Sequence, residues 1–296
     1  MSISNALEDK PRYVLVTAAY NEEKDIEKTL HSVVSQSLLP LKWVVVSDGS
    51  TDSTDEIVRR YANNHDFIHL HRIVERHVRN FGAQVAAIKA GYEILRPLEF
   101  DYFANLDADI SFEPEYYEKL LKKFQDDPQL GLGGGLICEE KAGVFRSRPS
   151  NRETSVAHAV QLFRRHCYEM IGGYQQLPYG GPDWVAEVSV RQKGWNVRTF
   201  KDLPVHHHRP TGSVGGMYRG CYRLGLLDYS VGCHPVFEVG RCMRRIGQKP
   251  VITGALVRLW SFIWASVSRH SRSVPDDFVR YLRSEQLQRM RFRKKT

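Results

Sequence analysis

The chain has no apolar run at its start: residues 1–10, Met1 to Lys10, are polar and short. A secretory signal needs a continuous apolar core, so none is expected here and the protein is expected to stay in the cytosol. Cysteine is scarce and wrongly spaced for metal. The five cysteines, Cys138, Cys167, Cys221, Cys233 and Cys242, include no Cys-x-x-Cys. That argues against a structural zinc site, and the odd number suits a reducing compartment in which they are buried thiols. No G-x-G-x-x-G occurs, so no nicotinamide site is implied; Leu130 to Ile137 is glycine-rich but reads as a strand whose backbone is closely approached. Nor is there a confident membrane span. The most apolar stretch, Val251 to Val267, is short and is interrupted by Arg258.

What is present suffices for a packed α/β fold. The 296 residues and 42% hydrophobic content allow one large domain with a substantial extension. The net charge of +8 is unevenly spread: residues 209–296 hold 17 Lys and Arg against 5 Asp and Glu, and the first 208 hold 25 against 29. A basic, aromatic-bearing end suits an anionic surface, or else is a solvated charged helix.

Strand, polar turn and helix alternate from the start. Tyr13 to Thr17 and Lys42 to Val46 read as strands, each followed by a helix, over about 25–36 and from Ser53 to about Asn64. Ser53 with Glu56 makes a capping box. A third strand is expected over Ile68–Ile73, followed by Arg76 and Arg79, which either meet phosphate or are surface charges. This repetition predicts a mostly parallel central sheet with right-handed crossovers. Further along, Lys141 to Glu153 reads as a polar loop able to close over a ligand, and Val156 to Phe163 resumes strand character.

The chain is organised around Asp101 to Asp109, where a buried strand runs straight into Asp107 and Asp109, spaced i, i+2. Carboxylates leaving a strand at that edge of an open sheet can hold Mg²⁺ or Mn²⁺ against a diphosphate, because both cations prefer oxygen donors and use few protein carboxylates. The bare pattern is also met in solvated loop aspartates that cap a helix, here one starting near Pro114. Pro182 and Asp183 open another helix that Gly194 ends, which places Asp183 in the positive end of the helix dipole or makes it an ordinary cap. The run His206-His207-His208 is a metal cluster, a phosphate contact or a loop.

Taken in order, Ala19-Tyr20-Asn21-Glu22, Ser47-Asp48-Gly49-Ser50-Thr51-Asp52, Asn80-Phe81-Gly82, Asp107-Ala108-Asp109 and Gly181-Pro182-Asp183 resemble the inverting nucleotide-sugar glycosyltransferases of family 2, over about residues 12–212. The resemblance implies the A-type glycosyltransferase fold, with Leu130 to Ile137 beside the sugar. It also implies roles: Ala18, Tyr20 and Glu22 line the base and ribose pocket, Asp48 reads the nucleobase, and Asn80 joins the donor site. Asp107 contacts ribose and metal, Asp109 is the main ligand of Mg²⁺ or Mn²⁺, His207 or His208 meets metal or diphosphate, and Asp183 is the general base.

The chain departs from many relatives at Pro182, where they place an acid, and at Ser47, where they place an aspartate. The Gln-x-x-Arg-Trp signature of processive synthases is missing, so single-sugar addition is expected. Residues 1–212 would form the transferase domain and 213–296 a helical basic extension at the membrane surface or acceptor. The expected partners are a nucleoside-diphosphate sugar and a glycan or lipid-linked acceptor in surface-glycan assembly, with peripheral contact at the cytoplasmic face of the membrane and no nucleic acid. Two other readings stay open. One is a polyprenyl-phosphate glycosyltransferase; the other is a non-enzymatic membrane- or nucleic-acid-binding module on an inert fold. In Val251–Val267 the choice is between an interfacial amphipathic helix, with Arg258, Arg269 and Arg272 toward lipid phosphates, and a core helix.

Overall fold

The computed structural model describes residues 11–73, 81–141, 143–209 and 216–292. The first half of the chain runs β1 (Tyr13–Ala19), α1 (Ile26–Val34), β2 (Lys42–Ser47), α2 (Thr54–Ala62), β3 (Ile68–Arg72), α3 (Phe81–Leu95), β4 (Tyr102–Asn105), β5 (Ile110–Phe112) and α4 (Tyr116–Asp126). It continues as β6 (Leu130–Lys141), β7 (Val144–Ser147), β8 (Leu162–Arg164), α5 (Arg165–Met170), α6 (Pro182–Gln192) and β9 (Asn196–His207). Four helices follow: α7 (Met217–Ser230), α8 (Pro235–Arg244), α9 (Thr253–Val267) and α10 (Asp276–Phe292).

The strands form one sheet in the order β3-β2-β1-β4-β8-β6-β9-β5, with β7 on β6. The parallel pairing expected from the alternating elements holds across β3, β2, β1 and β4, and again between β6 and β9. β8 runs antiparallel to both β4 and β6, and β5 and β7 are antiparallel additions to β9 and β6, so the sheet as a whole is mixed. β1 and β2 are apolar over Tyr13 to Val16 and Trp43 to Val46 because both faces of the sheet are covered. Tyr13, Leu15, Trp43 and Val45 pack with α1 and α4, while Val14, Val16, Val44 and Val46 pack with α3.

Local structure differs from expectation in several places, each with a physical cause. Ser53 makes no capping hydrogen bond; Asp52 Oδ1 instead accepts from Thr54 N at 3.0 Å and Thr54 Oγ1 at 2.6 Å. The 141–153 segment holds β7, which satisfies its backbone by pairing with the end of β6. Val156 to Phe163 is a 3-10 turn at His158–Val160 ahead of the short β8. The glycines of β6 admit the chain's own backbone: a Cβ on Gly134 would lie 2.5 Å from Val160 O. Cys167, Cys233 and Cys242 are buried as expected, whereas Cys138 and Cys221 are half-buried. Arg76, Arg79 and Asn80 lie outside the described residues.

The C-terminal helices share a third core with the sheet domain: Val185 and Val188 of α6 pack with Leu227 of α7, Phe262 of α9 and Phe278 of α10. α7 and α9 cross closely, since a Cβ on Gly225 would meet Arg258 O at 2.1 Å. Arg258 is 5% exposed. Its guanidinium binds Asp228 of α7 and Glu238 of α8, and Arg241 pairs with both acids as well. Arg258 is therefore an interior ion-pair residue and not a lipid-facing one, because two buried carboxylates require compensation. No helix among the described residues is long and apolar enough to cross a membrane.

Candidate active site

The loops after β1 and β2 are laced together by the polar residues of their motifs. Asn21 Oδ1 accepts from Thr51 N at 2.8 Å, Thr54 Oγ1 accepts from Glu22 N at 2.8 Å, and Asp52 Oδ2 accepts from Glu23 N at 3.1 Å. Ala18, Tyr20 and Glu22 are held at this edge, half-buried. Asp48 donates its N–H to Ala19 O at 3.0 Å, and its Oδ1 is buried with no partner among the described residues. A buried acceptor without a donor is costly unless a ligand supplies one.

Asp107 and Asp109 leave β4 toward the same edge. Asp109 is 2% exposed, and its carboxylate meets His207 Nε2 at 3.3 Å and Arg209 Nη2 at 2.9 Å. The same Arg209 nitrogen donates to Glu22 Oε1 at 2.9 Å, so a single guanidinium joins the loop after β1 to the Asp109 carboxylate. Burial alone would raise the Asp109 carboxyl, but hydrogen bonds and charge from His207 and Arg209 outweigh it and hold the group below the usual carboxylate range. Burial would lower His207, and the contact with Asp109 outweighs it, lifting the imidazole above its ordinary value. At Glu22 burial wins over Arg209, and the carboxyl is raised.

The three histidines separate by strand alternation. β5 pairs antiparallel with β9 in the register Ile110↔His207 and Ser111↔His206, which carries the end of β9 past Asp109. Side chains point to alternate faces. His207 and Arg209 reach Asp109, whereas the rings of His206 and His208 lie 4.2 and 5.6 Å from that of Phe145. His208 Nε2 is also 2.8 Å from Ser111 Oγ, and burial with the nearby Lys28 charge lowers its basicity. The geometry thus brings His207, and not His208, to the carboxylate.

Asp107 is held by residues that the sequence reading passed over. Gln84 Nε2 donates to Asp107 Oδ1 at 3.2 Å, and His158 Nδ1 lies 3.5 Å from the same oxygen. His158 is fixed by Asn105, whose Nδ2 donates to the His158 carbonyl at 2.7 Å. Burial opposes a charge on this ring, but Asp107 and the more distant Asp183 raise it above the ordinary histidine range. Asp183 stands in the first turn of α6, and one turn on is Glu187, buried and pushed up to about 8 by desolvation and the Asp183 charge. Asp107 and Asp183 therefore act on one imidazole from two elements. The signal for His158 was present only as a lone histidine in an apolar stretch, and nothing local ties it to Asp107.

A surface pocket of about 310 Å³ is lined by Ser147, Arg148, Asn151, Arg152 and Lys201 among others, and by none of the acidic residues above. No cluster of three or more His, Cys, Asp and Glu side chains poised for a metal occurs among the described residues.

The profile of the family described as "Glycosyl transferase family 2" matches residues 14–179, more than half of the chain. The chain belongs to glycosyl transferase family 2. Within it, the chain is similar to a poly-beta-1,6-N-acetyl-D-glucosamine synthase of Staphylococcus epidermidis, 30% identical over 118 residues, which is 40% of this chain and 26% of that protein. The chain thus matches about a quarter of that relative's length. Among solved structures, the mannosyltransferase PcManGT of Pyrobaculum calidifontis, in complex with GDP-Man and Mn²⁺, superposes with a TM-score of 0.55 at 19% identity, over 88% of this chain and 74% of that one. S. aureus TarS 1–349 in complex with UDP-GlcNAc gives a TM-score of 0.55 at 14% identity, over 88% and 73%. These likenesses speak for the fold, the A-type glycosyltransferase fold expected of the family 2 chain.

Proposed function

We propose that this family 2 protein is a metal-dependent, inverting glycosyltransferase that moves one sugar from a nucleoside-diphosphate sugar to a hydroxyl acceptor in surface-glycan assembly. The observation that carries the reading is the convergence of Glu22, Asp109, His207 and Arg209 at one edge of the sheet, with Asp107 against His158 beside it and the Asp183 charge acting on the same ring. In this reading Ala18, Tyr20 and Glu22 line the base and ribose pocket. The partnerless Oδ1 of Asp48 accepts from the nucleobase. Residues 1–212 form the transferase domain, and 213–296 are the acceptor-side extension.

The donor set fits Mg²⁺ or Mn²⁺ in chemistry. Asp109 is buried beside the His207 imidazole, its carboxyl held below the usual range, and its second oxygen already holds a cation, the Arg209 guanidinium. One or two protein carboxylates are ordinary for a cation that shares itself with a diphosphate. Asp109, with Asp107 and His207, would hold it, and when bound it neutralises the leaving diphosphate. Asp183 removes the proton of the acceptor hydroxyl as that oxygen bonds to the anomeric carbon. The bond from that carbon to the diphosphate breaks on the opposite face, its electron pair leaves with the diphosphate, and configuration inverts.

A panel of UDP-, GDP- and dTDP-sugars with Mg²⁺ or Mn²⁺, read by thermal shift, tests this on the wild type and Asp109→Ala. One nucleotide class should stabilise the wild type only when metal is present, and the variant should lose that effect. Absence of any shift across the panel would sink the reading. Turnover that survives Asp183→Asn but not Asp109→Ala would move it to a polyprenyl-phosphate acceptor, which needs no strong base.

A further inference from the structure

We infer that the outer face of α9, extended by α8, seats on the surface of an anionic lipid bilayer. α9 is two-sided at helical spacing. Arg258, Ser261, Phe262 and Ala265 face the protein, whereas Leu256, Trp260, Ile263, Trp264 and Val267 face outward. The outward side chains are large and open: Trp260 is 57%, Trp264 48% and Val267 74% exposed. The two indoles stack at 6.0 Å, and Tyr222 of α7 lies 5.9 Å from Trp260. α8 repeats the pattern, with Val236, Val239 and Met243 exposed and Glu238 and Cys242 buried, and Ile246 just past its end is exposed as well. Tyr218 Oη, 3.0 Å from Thr253 Oγ1, ties the start of α7 to the start of α9.

Charge selects the occupant. Residues 216–275 contain two acids, Asp228 and Glu238, and both are buried in the ion pairs with Arg258 and Arg241. Every exposed charge in this stretch is therefore basic: Arg219, Arg244, Arg245, Lys249, Arg269 and Arg272, the last paired with Asp276 just beyond the stretch at 3.6 Å. A second copy of the chain would bring these bases against one another across a two-fold contact, with no exposed acid in the stretch to answer them. A nucleic acid would answer the charge but leave Leu256, Ile263 and Val267 in water. A bilayer of anionic lipid meets both demands, with the tryptophans at headgroup depth and the bases on lipid phosphates. Because α9 shares its core with α6 through Phe262, the surface would hold the helix that carries Asp183 in a fixed relation to the membrane.

The inference does not rest on the donor reading, since vesicle binding needs no sugar nucleotide. The test floats the full chain with vesicles of phosphatidylcholine alone or with about 30% phosphatidylglycerol, at low and high salt. The wild type should float with the anionic vesicles only and be released by salt. Trp260→Ser with Trp264→Ser should weaken binding at least about ten-fold. Lys249→Gln with Arg269→Gln should weaken it about 25-fold, from roughly five-fold for each base near an anionic surface. The serine pair should keep the wild-type melting midpoint, because both indoles are exposed. Failure of the wild type to float, flotation unchanged in the serine pair, or a dimer that the serine pair disperses would each overturn the inference, as would RNA or DNA binding without vesicle binding. The same samples scored for donor-induced thermal shift separate failure here from failure of the transferase reading.

Discussion

His158 Nδ1 lies 3.5 Å from Asp107 Oδ1. The imidazole is 15% exposed at its side chain and clamped by Asn105, so it sets where the Asp107 carboxylate can point. Groups of this kind behind a ligand typically govern metal affinity by about 10- to 100-fold.

Replacing His158 with Ala should therefore weaken the metal dependence of donor binding by about 10- to 100-fold. Glutamine, which can still donate to Asp107, should recover part of it. A metal titration identical to wild type in both variants would remove His158 from the site.

In the proposed metal site, Arg209 and a divalent cation would compete for Asp109. Arg209→Ala should lower stability without metal by only about 1 kcal/mol, because the guanidinium is half exposed and screened. The same variant should gain more melting temperature than wild type on adding Mn²⁺. Equal gains in the two proteins would refute the competition.

Glu187 gives a pH signature. Its folded pKa, about 8, stands above its ordinary 4.5, so the folded state holds a proton that the unfolded chain releases between those values. Stability from this group is full below about pH 4.5 and falls as pH rises through the folded value, at no more than about 1.4 kcal/mol per unit. In Glu187→Gln that fall should flatten; urea unfolding at pH 5 and pH 8 compares the slopes, and parallel curves would contradict the assignment.

Removing Arg258 should be severe. Among the described residues Asp228 and Glu238 would keep Arg241 as their one ion-pair partner, and a stranded buried charge costs about 3–5 kcal/mol. Equilibrium unfolding of Arg258→Ala should show a loss of that size, and a loss under about 1 kcal/mol would mean the acids are satisfied by other means.

The parts of this protein legible from sequence are those that local pattern specifies. Apolar strands buried on both faces, the Asp107 and Asp109 pair leaving β4, and Pro182 opening α6 each carry their cause within a few residues. The partners of those residues do not. His158 reaches Asp107 because residues 157–161 return beside β4, and Gln84 arrives from α3. Arg258 in an apolar run looks outward-facing until Asp228 and Glu238, 30 and 20 residues away, are brought beneath it. The face of α9 was readable as amphipathic, but which side its arginine took depended on those acids.

The histidine run gains a further meaning from the alternation of β9. Suppose one residue were deleted just before His206: His208 would take the place of His207, and Pro210 that of Arg209. One residue inserted there would put His206 at the first place and His208 at the second. Asp109 would face an imidazole in either frame, and the guanidinium shared with Glu22 would be lost in both. Three like residues in a row make the imidazole tolerant of length changes in the preceding strand, while Arg209 alone keeps count.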